Sequence, residues 1–457
     1  MMNPRYRAAV GLLLTLSLPW SAPSSADGAV TREAIAARIE AGELEASPLF
    51  MPGPERRVVF AETAYFAPTR KVRAGDSRYP LTPDYQDLGA IRYQVGGEAF
   101  RLRDFLGRDP LMGLLVVKDD RILLEHYADD HGPGRLWISF SATKSVNSML
   151  VGAAIAEGYI GSVHDRVGDY LPRLAGSEYE DVTIEQILQM ASGVDWDEDY
   201  EDPESDVSRA GALNGVPLTR HLAQLGRAHP AGEVFNYNTG EANLVGEVLR
   251  AAIGNNAATY LTHRIWQPFG MEADATWLLD RPGGVETGGC CISATLRDYA
   301  RLGLFAMRGG VLPDGTRVLP EGWMAAATAP SPGYAGYGYQ WWLEGGGAYQ
   351  AIGIFGQKIF VDPARELVIA AHSNAPTATG SDYAAHLSAV LEALDAALEM
   401  NRGLQPVPAT GCRRSISSGP VSPGKRTRPG ECPVALIASR GNGDPAGPAA
   451  CRSVAAG

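Results

Sequence analysis

The sequence predicts an α/β (α+β) fold: one sheet assembled from segments far apart in the chain, with a mainly helical subdomain inserted between them. Three observations carry this. Leu111 to Tyr127, "LMGLLVVKDDRILLEHY", is two apolar runs meeting at Asp119 and Asp120, the pattern of a hairpin. From Tyr337 onward, "YGYQWWLEGGGAYQAIGIFGQKIFVDPARELVIAAHSN" gives three more strand-like pieces parted by Gly and Asp-Pro turns. Between these two regions the apolar residues recur at helical rather than strand spacing.

The elements follow in order. Arg5 and Arg7 precede an apolar run from Ala8 to about Trp20, and Ser24, Ser25 and Ala26 form a small-residue cleavage site. Residues 1–26 therefore read as a secretory signal peptide, which places the mature protein in the periplasm or outside the cell. The run is too short to cross hydrocarbon, Pro19 and Pro23 break it, and no second stretch is long enough to span a bilayer, so no stable membrane insertion is expected after cleavage. Residues 27–108 read as an N-terminal extension and 109–402 as the main domain, opened by the hairpin. A helix begins near Ser141. "TIEQILQMASGV" places Ile184, Ile187, Leu188 and Ala191 on one helical face with Gly193 as its stop, and "EANLVGEVLRAAIG" and "TLRDYARLGLFAMRGG" repeat the pattern. Tyr383 to Met400 is a last amphipathic helix. From Asn401 the chain holds eight Lys or Arg against two Asp or Glu, a net of +6 that leaves −18 for the remainder. That Pro, Gly and Ser-rich stretch lacks periodic apolar residues, so 403–457 reads as a disordered tail.

Composition narrows the function. With 457 residues, 45% hydrophobic and 20% charged, the chain has ample material for a large core. A net charge of −12 and a pI near 5.2 provide no basic face to displace counterions from phosphates, which excludes nucleic acid as the expected partner. Five cysteines fit neither a disulfide scaffold nor a metal site. Cys290 and Cys291 are adjacent in a Gly-rich turn and read as small buried residues, although an oxidising compartment would permit a vicinal disulfide; Cys412, Cys432 and Cys451 are scattered through the tail. The eight His include no H-E-x-x-H pair and there is no G-x-S-x-G elbow, so neither metal nor cofactor is expected. "GDSRY" at Gly75 resembles a Gly-Asp-Ser nucleophile block but lies in a polar stretch and reads as a turn.

The chemistry concentrates in three places. In "LWISFSATKSVNSML", Ser141 stands one helical turn before Lys144, and Val146, Met149, Leu150 and Ala153 mark apolar surroundings. Ser is also a preferred N-cap, so Ser141 taken alone reads as a cap before it reads as a nucleophile. A Lys beside buried apolar surface loses charge stabilisation, and its lowered pKa lets it take a Ser proton. In "PAGEVFNYNTGEANLVGEVL", Tyr237 and Thr239 sit in a turn before a helix, where a phenol near an ammonium would be more acidic and able to relay a proton. In "YQAIGIFGQKIFVDP", glycines interrupt a strand whose backbone could offer an amide to an oxyanion.

Taken in this order, Ser-x-x-Lys, P-x-G-x-x-F-x-Y and a Gly-rich strand ending in V-D-P, the chain resembles the serine β-lactamase-related hydrolases. That superfamily comprises class C β-lactamases, DD-peptidases and family VIII esterases, and the likeness is greatest to the 6-aminohexanoate-dimer (nylon-oligomer) hydrolase type. It covers roughly Asp109 to Glu399, including "VTIEQILQMASGVDW", "DEDYEDP" and "GGCCISATLRDYARLG". The resemblance implies a β-lactamase/transpeptidase-like antiparallel sheet flanked by helices, with no cofactor. It implies that Ser141 is acylated, Lys144 is its base, and Tyr237 passes the proton to the leaving group. It further implies an oxyanion hole from the amides of Ser141 and Ile354, and substrate contacts from Tyr200 and Thr239. A shift of up to three residues in this alignment would move the Ile354 role to Gln357. The third motif departs from the family, since Ala351-Ile352-Gly353 replaces a basic Lys-Thr-Gly or His-x-Gly. Ala351 cannot pair with a substrate carboxylate, so efficient β-lactam hydrolysis is not expected. The expected activity is hydrolysis of a small-molecule amide or ester; the alternative is an idle member that binds peptides or cell-wall fragments.

Overall fold

The computed structural model describes residues 30–400, which belong to one compact unit. The expected signal peptide (1–26) and tail (403–457) lie outside the described residues. The predicted hairpin forms β1 (Leu111–Lys118) and β2 (Arg121–Tyr127). Asp119 and Asp120 join them at φ 49° and 60°, the left-handed conformation that a two-residue hairpin turn demands and Asp tolerates. The C-terminal region supplies β3 (Tyr349–Gly353), β4 (Gln357–Asp362) and β5 (Leu367–Ser373). These five strands lie side by side in the order β3-β4-β5-β1-β2, antiparallel throughout, with β5 pairing to β1 from Leu367 opposite Lys118 to His372 opposite Gly113. The short Trp342–Leu343 extends the β3 edge, and Thr82–Pro83 runs parallel to β2 at the other. Chain ends far apart in sequence thus complete one sheet.

Five helices position the site: α1 (Gly53–Ala61), α2 (Ala142–Ala156), α3 (Thr239–Ile253), α4 (Leu296–Met307) and α5 (Asp382–Met400). Leu115 and Val117 of β1 pack with Leu302 and Phe305 of α4, while Leu114 and Val116 face Leu387 and Leu391 of α5. Both faces of the sheet are covered, which is why β1 reads as an unbroken apolar run rather than an alternating one. α2 is buried along nearly its whole length, with Lys144 inside that burial.

The structure differs from the sequence pattern in two places. A second, four-stranded sheet joins Thr69–Val72, Ala275–Leu278, Ile292–Ala294 and Trp137–Ile138; strands of two to four residues carry too little alternation to be read. The "TIEQILQMASGV" helix is helical only over Ile184–Leu188. Met190 turns the chain at φ 53°, and its carbonyl accepts from the Asn236 amide at 2.9 Å, so a tertiary contact that fixes the Tyr237 segment replaces the last helical turn. Residues 30–108 pack directly on the main domain. Buried Arg56 of α1 donates to Asn374 Oδ1 at 2.8 Å and to the Ala375 carbonyl at 2.5 Å. Among the described residues no helix is long and apolar enough to cross a membrane.

Candidate active site

Ser141 occupies the N-cap position of α2, yet its hydroxyl makes no capping hydrogen bond. It faces the Lys144 amine instead, 2.8 Å away. The preceding residue, Phe140, holds φ 46°, a conformation that costs a bulky residue of order 1 kcal/mol. Its ring is fixed between Phe60 of α1 (4.9 Å between centroids) and Phe355 (5.5 Å), and Phe355 in turn lies 4.1 Å beneath the Arg56 guanidinium. The bend that turns Ser141 into the cleft is therefore held by residues from both ends of the described chain.

Lys144, 1% exposed, has three neighbours: Ser141 Oγ, Thr239 Oγ1 at 3.1 Å and the Gly289 carbonyl at 3.0 Å. Burial lowers its pKa to about 8, against an opposing pull from the Glu198 charge. A neutral amine has two N–H donors and one lone pair. Thr239 and Gly289 can take both donors, which leaves the lone pair for the Ser141 proton. Thr239 Oγ1 accepts from Lys144 and donates to Glu198, and Thr239 also borders the apolar cavity at Ser141. Glu198 is the residue that sequence reasoning missed. Its Oε1 accepts from the Tyr200 phenol at 2.7 Å and from Thr239 Oγ1, and its Oε2 accepts from the Thr239 amide at 2.9 Å and the Trp196 indole. In a stretch reading "DWDEDYEDPE" nothing local marks one carboxylate among its neighbours.

Tyr237 stacks on Trp342 (5.6 Å, 24°) with its ring 5.1 Å from Lys144 Nζ. Burial and then the Glu198 charge push its phenol upward, partly offset by a hydrogen bond with Ser141. This corrects the expectation of a more acidic phenol: a buried phenolate beside a carboxylate is doubly disfavoured, so the group stays protonated. Asn238, next in sequence, caps α3 by accepting from the Glu241 amide at 2.9 Å, which fixes the turn carrying Tyr237 and Thr239.

Two cavities open at Ser141. One, about 290 Å³, is mainly apolar and is lined by Leu49, Phe66, Ile138, Phe140, Val207 and Leu278, with Cys290 and Cys291, paired as a vicinal disulfide, in its wall. The other, about 460 Å³, holds Tyr237, Trp342, Ile352 and Lys358. Tyr200 and Ile354 border both. Among the described residues no hydrogen bond is donated by the backbone amide of Ser141 or Ile354. β3 runs so close behind Ser141 that a Cβ on Gly353 would meet the Ser139 carbonyl at 2.1 Å, which explains the glycine. Gln357 does not reach the cleft: its side chain bridges the backbone of Ser373, accepting at 3.0 Å and donating at 2.7 Å. Ser77 of "GDSRY" is exposed and borders neither cavity. Among the described residues no group of three His, Cys, Asp or Glu could hold a metal ion.

Residues 104–393 match the family described as Beta-lactamase. The chain belongs to the β-lactamase family of serine hydrolases. A 6-aminohexanoate-dimer hydrolase of Paenarthrobacter ureafaciens is 30% identical over 348 residues, 71% of this chain and 86% of the relative. Among solved structures, a candidate 6-aminohexanoate-dimer hydrolase from Bacillus anthracis superposes with a TM-score of 0.67 at 22% identity, covering 76% of this chain and 95% of the other. A penicillin-binding protein homologue from Caulobacter crescentus gives a TM-score of 0.51 at 20% identity, covering 64% and 96%. At these identities the structures speak to fold, the β-lactamase/transpeptidase-like arrangement of a mostly antiparallel sheet and helices. The family match begins at residue 104, so α1 and the Leu49 and Phe66 walls of the apolar cavity lie before it.

Proposed function

We propose that this β-lactamase-family member is an exported hydrolase of small amides or esters, working through an acyl-Ser141 intermediate in the manner of a 6-aminohexanoate-dimer hydrolase or esterase. The observation that carries the reading is the Lys144 amine, 2.8 Å from Ser141 Oγ with two other acceptors ready to hold its N–H groups. Ser141 Oγ attacks the carbonyl carbon as its proton passes to Lys144. The amides of Ser141 and Ile354 receive the oxyanion, and Tyr237, kept protonated by burial, delivers a proton to the leaving amine or alcohol while taking one from the Lys144 ammonium, which restores the neutral amine. Water then attacks the acyl group as Lys144 takes its proton, and that proton returns to Ser141 Oγ as the acid departs. Tyr200 and the apolar cavity shape the substrate's seat. An idle peptide binder would have no need of a buried amine with a lowered pKa beside a serine.

Hydrolysis of a nitrophenyl ester, lost in Ser141→Ala, together with fluorophosphonate labelling of Ser141, is the expected result. Absence of both in folded protein would contradict the proposal. Export rests on Arg5, Arg7 and the apolar run from Ala8 to Trp20. Protein recovered from outside the cytoplasm should begin near residue 27; a retained Met1 would contradict export.

A further inference from the structure

We propose that Lys358 is the specificity-determining cation of this site and receives a carboxylate carried by the leaving portion of the substrate. The inference rests on the hydrolase reading of Ser141. Antiparallel pairing sets Lys358 of β4 opposite Ile352 of β3, and cross-strand partners project from the same face. Both line the 460 Å³ cavity that also holds Ser141, Tyr237 and Trp342. Lys358 is 9% exposed, and its Nζ has neither a hydrogen bond nor an ion pair among the described residues. A nearly buried ammonium without a partner is costly unless something enters to pair with it.

Among the described residues the Glu344 charge acts on Lys358, and its carboxylate is already engaged by the Gln350 side chain. Burial lowers Lys358 to about 8, with Glu344 pulling the other way. At pH 7 roughly nine in ten molecules would still carry the charge. Tyr237 lines this cavity and not the apolar one, so the portion of substrate that leaves with Tyr237's proton is the portion facing Lys358. Ala351 carries no cation and is fully buried in the core with Ile359, on the other face of the sheet, so on this proposal the neighbouring strand supplies the charge instead.

The test compares two esters of one acid, the butyrates of 4-hydroxybenzoate and 4-hydroxybenzamide, which differ by a carboxylate on the leaving group. Wild type should favour the carboxylate ester in kcat/KM by about tenfold or more, as a charge-assisted contact gives. Lys358→Met should abolish that ratio, mainly through KM, and Lys358→Arg should keep part of it. Lys358→Gln serves the same purpose should the Met variant not fold. A ratio is insensitive to general loss of activity. No preference in wild type, or one unchanged in both Met and Gln variants, would overturn the inference. So would a lowered Tm with the ratio unmoved, which would make Lys358 only a structural neighbour of Glu344. If wild type cleaves neither ester, the hydrolase reading fails and this inference with it; if it cleaves both without discrimination, only the role of Lys358 fails.

Discussion

In the proposed mechanism Ser141 and Lys144 work as a pair because neither has the needed chemistry alone: a serine hydroxyl is a poor nucleophile, and an amine at its ordinary pKa holds its proton at neutral pH. Replacing either by Ala should lower turnover by roughly a thousandfold or more, and the double replacement should cost little beyond that, as coupled catalytic sets behave. Additive losses in steady-state kinetics would show that the two act separately. Lys144 is active when neutral, and its pKa is near 8, so kcat/KM should climb about tenfold per pH unit below that value and level off above it. Glu198 raises the Lys144 pKa, so Glu198→Gln should move this rise to lower pH. An unmoved or alkaline-shifted rise would show that Glu198 does not tune the base. Tyr237→Phe keeps the stack on Trp342 and deletes the hydroxyl; it should impair an amide substrate, whose amine must be protonated to leave, more than an ester. That Ser141, Lys144 and Tyr237 meet was legible because local spacing puts two of them on one helical turn and the third in a marked motif. The presence of Glu198 and Lys358 in the cavity at Ser141 was not, since only the fold brings them there.

At the scale of elements, the hairpin, β3 to β5, α2, α3 and α5 could be read from periodicity and turn chemistry. The second sheet could not, because pairing rather than pattern defines strands so short. α1 carries the largest surprise. Nothing in "GPERRVVFA" announces that Phe60 braces Phe140 or that Arg56 covers Phe355, yet both contact the residues that adjoin Ser141 and Ile354. Phe60→Ala should cost about 3 kcal/mol or more in stability, as large-to-small core changes do, and should lower activity by more than the lost folded fraction explains. Unfolding curves measured beside specific activity would check this. A stability loss with full activity per folded molecule would mean that α1 only packs.

For the whole molecule, the walls of the cavity at Ser141 begin well before residue 104, where the family match starts, and so removal of residues 30–68 should abolish activity by stripping the Leu49 and Phe66 wall and the support of Phe140. Ending the chain at Arg402 should instead leave melting and turnover unchanged, because the sequence beyond it lacks the apolar periodicity needed for burial. A loss of either property would show that the tail packs on the domain. Every step of the chemistry requires that the serine at the head of α2 carry the acyl group. Mass spectrometry of enzyme quenched during turnover of a slow ester tests it most directly: one acyl adduct on the peptide holding Ser141, absent in Ser141→Ala, is the predicted result, and turnover with the adduct on any other residue would contradict it.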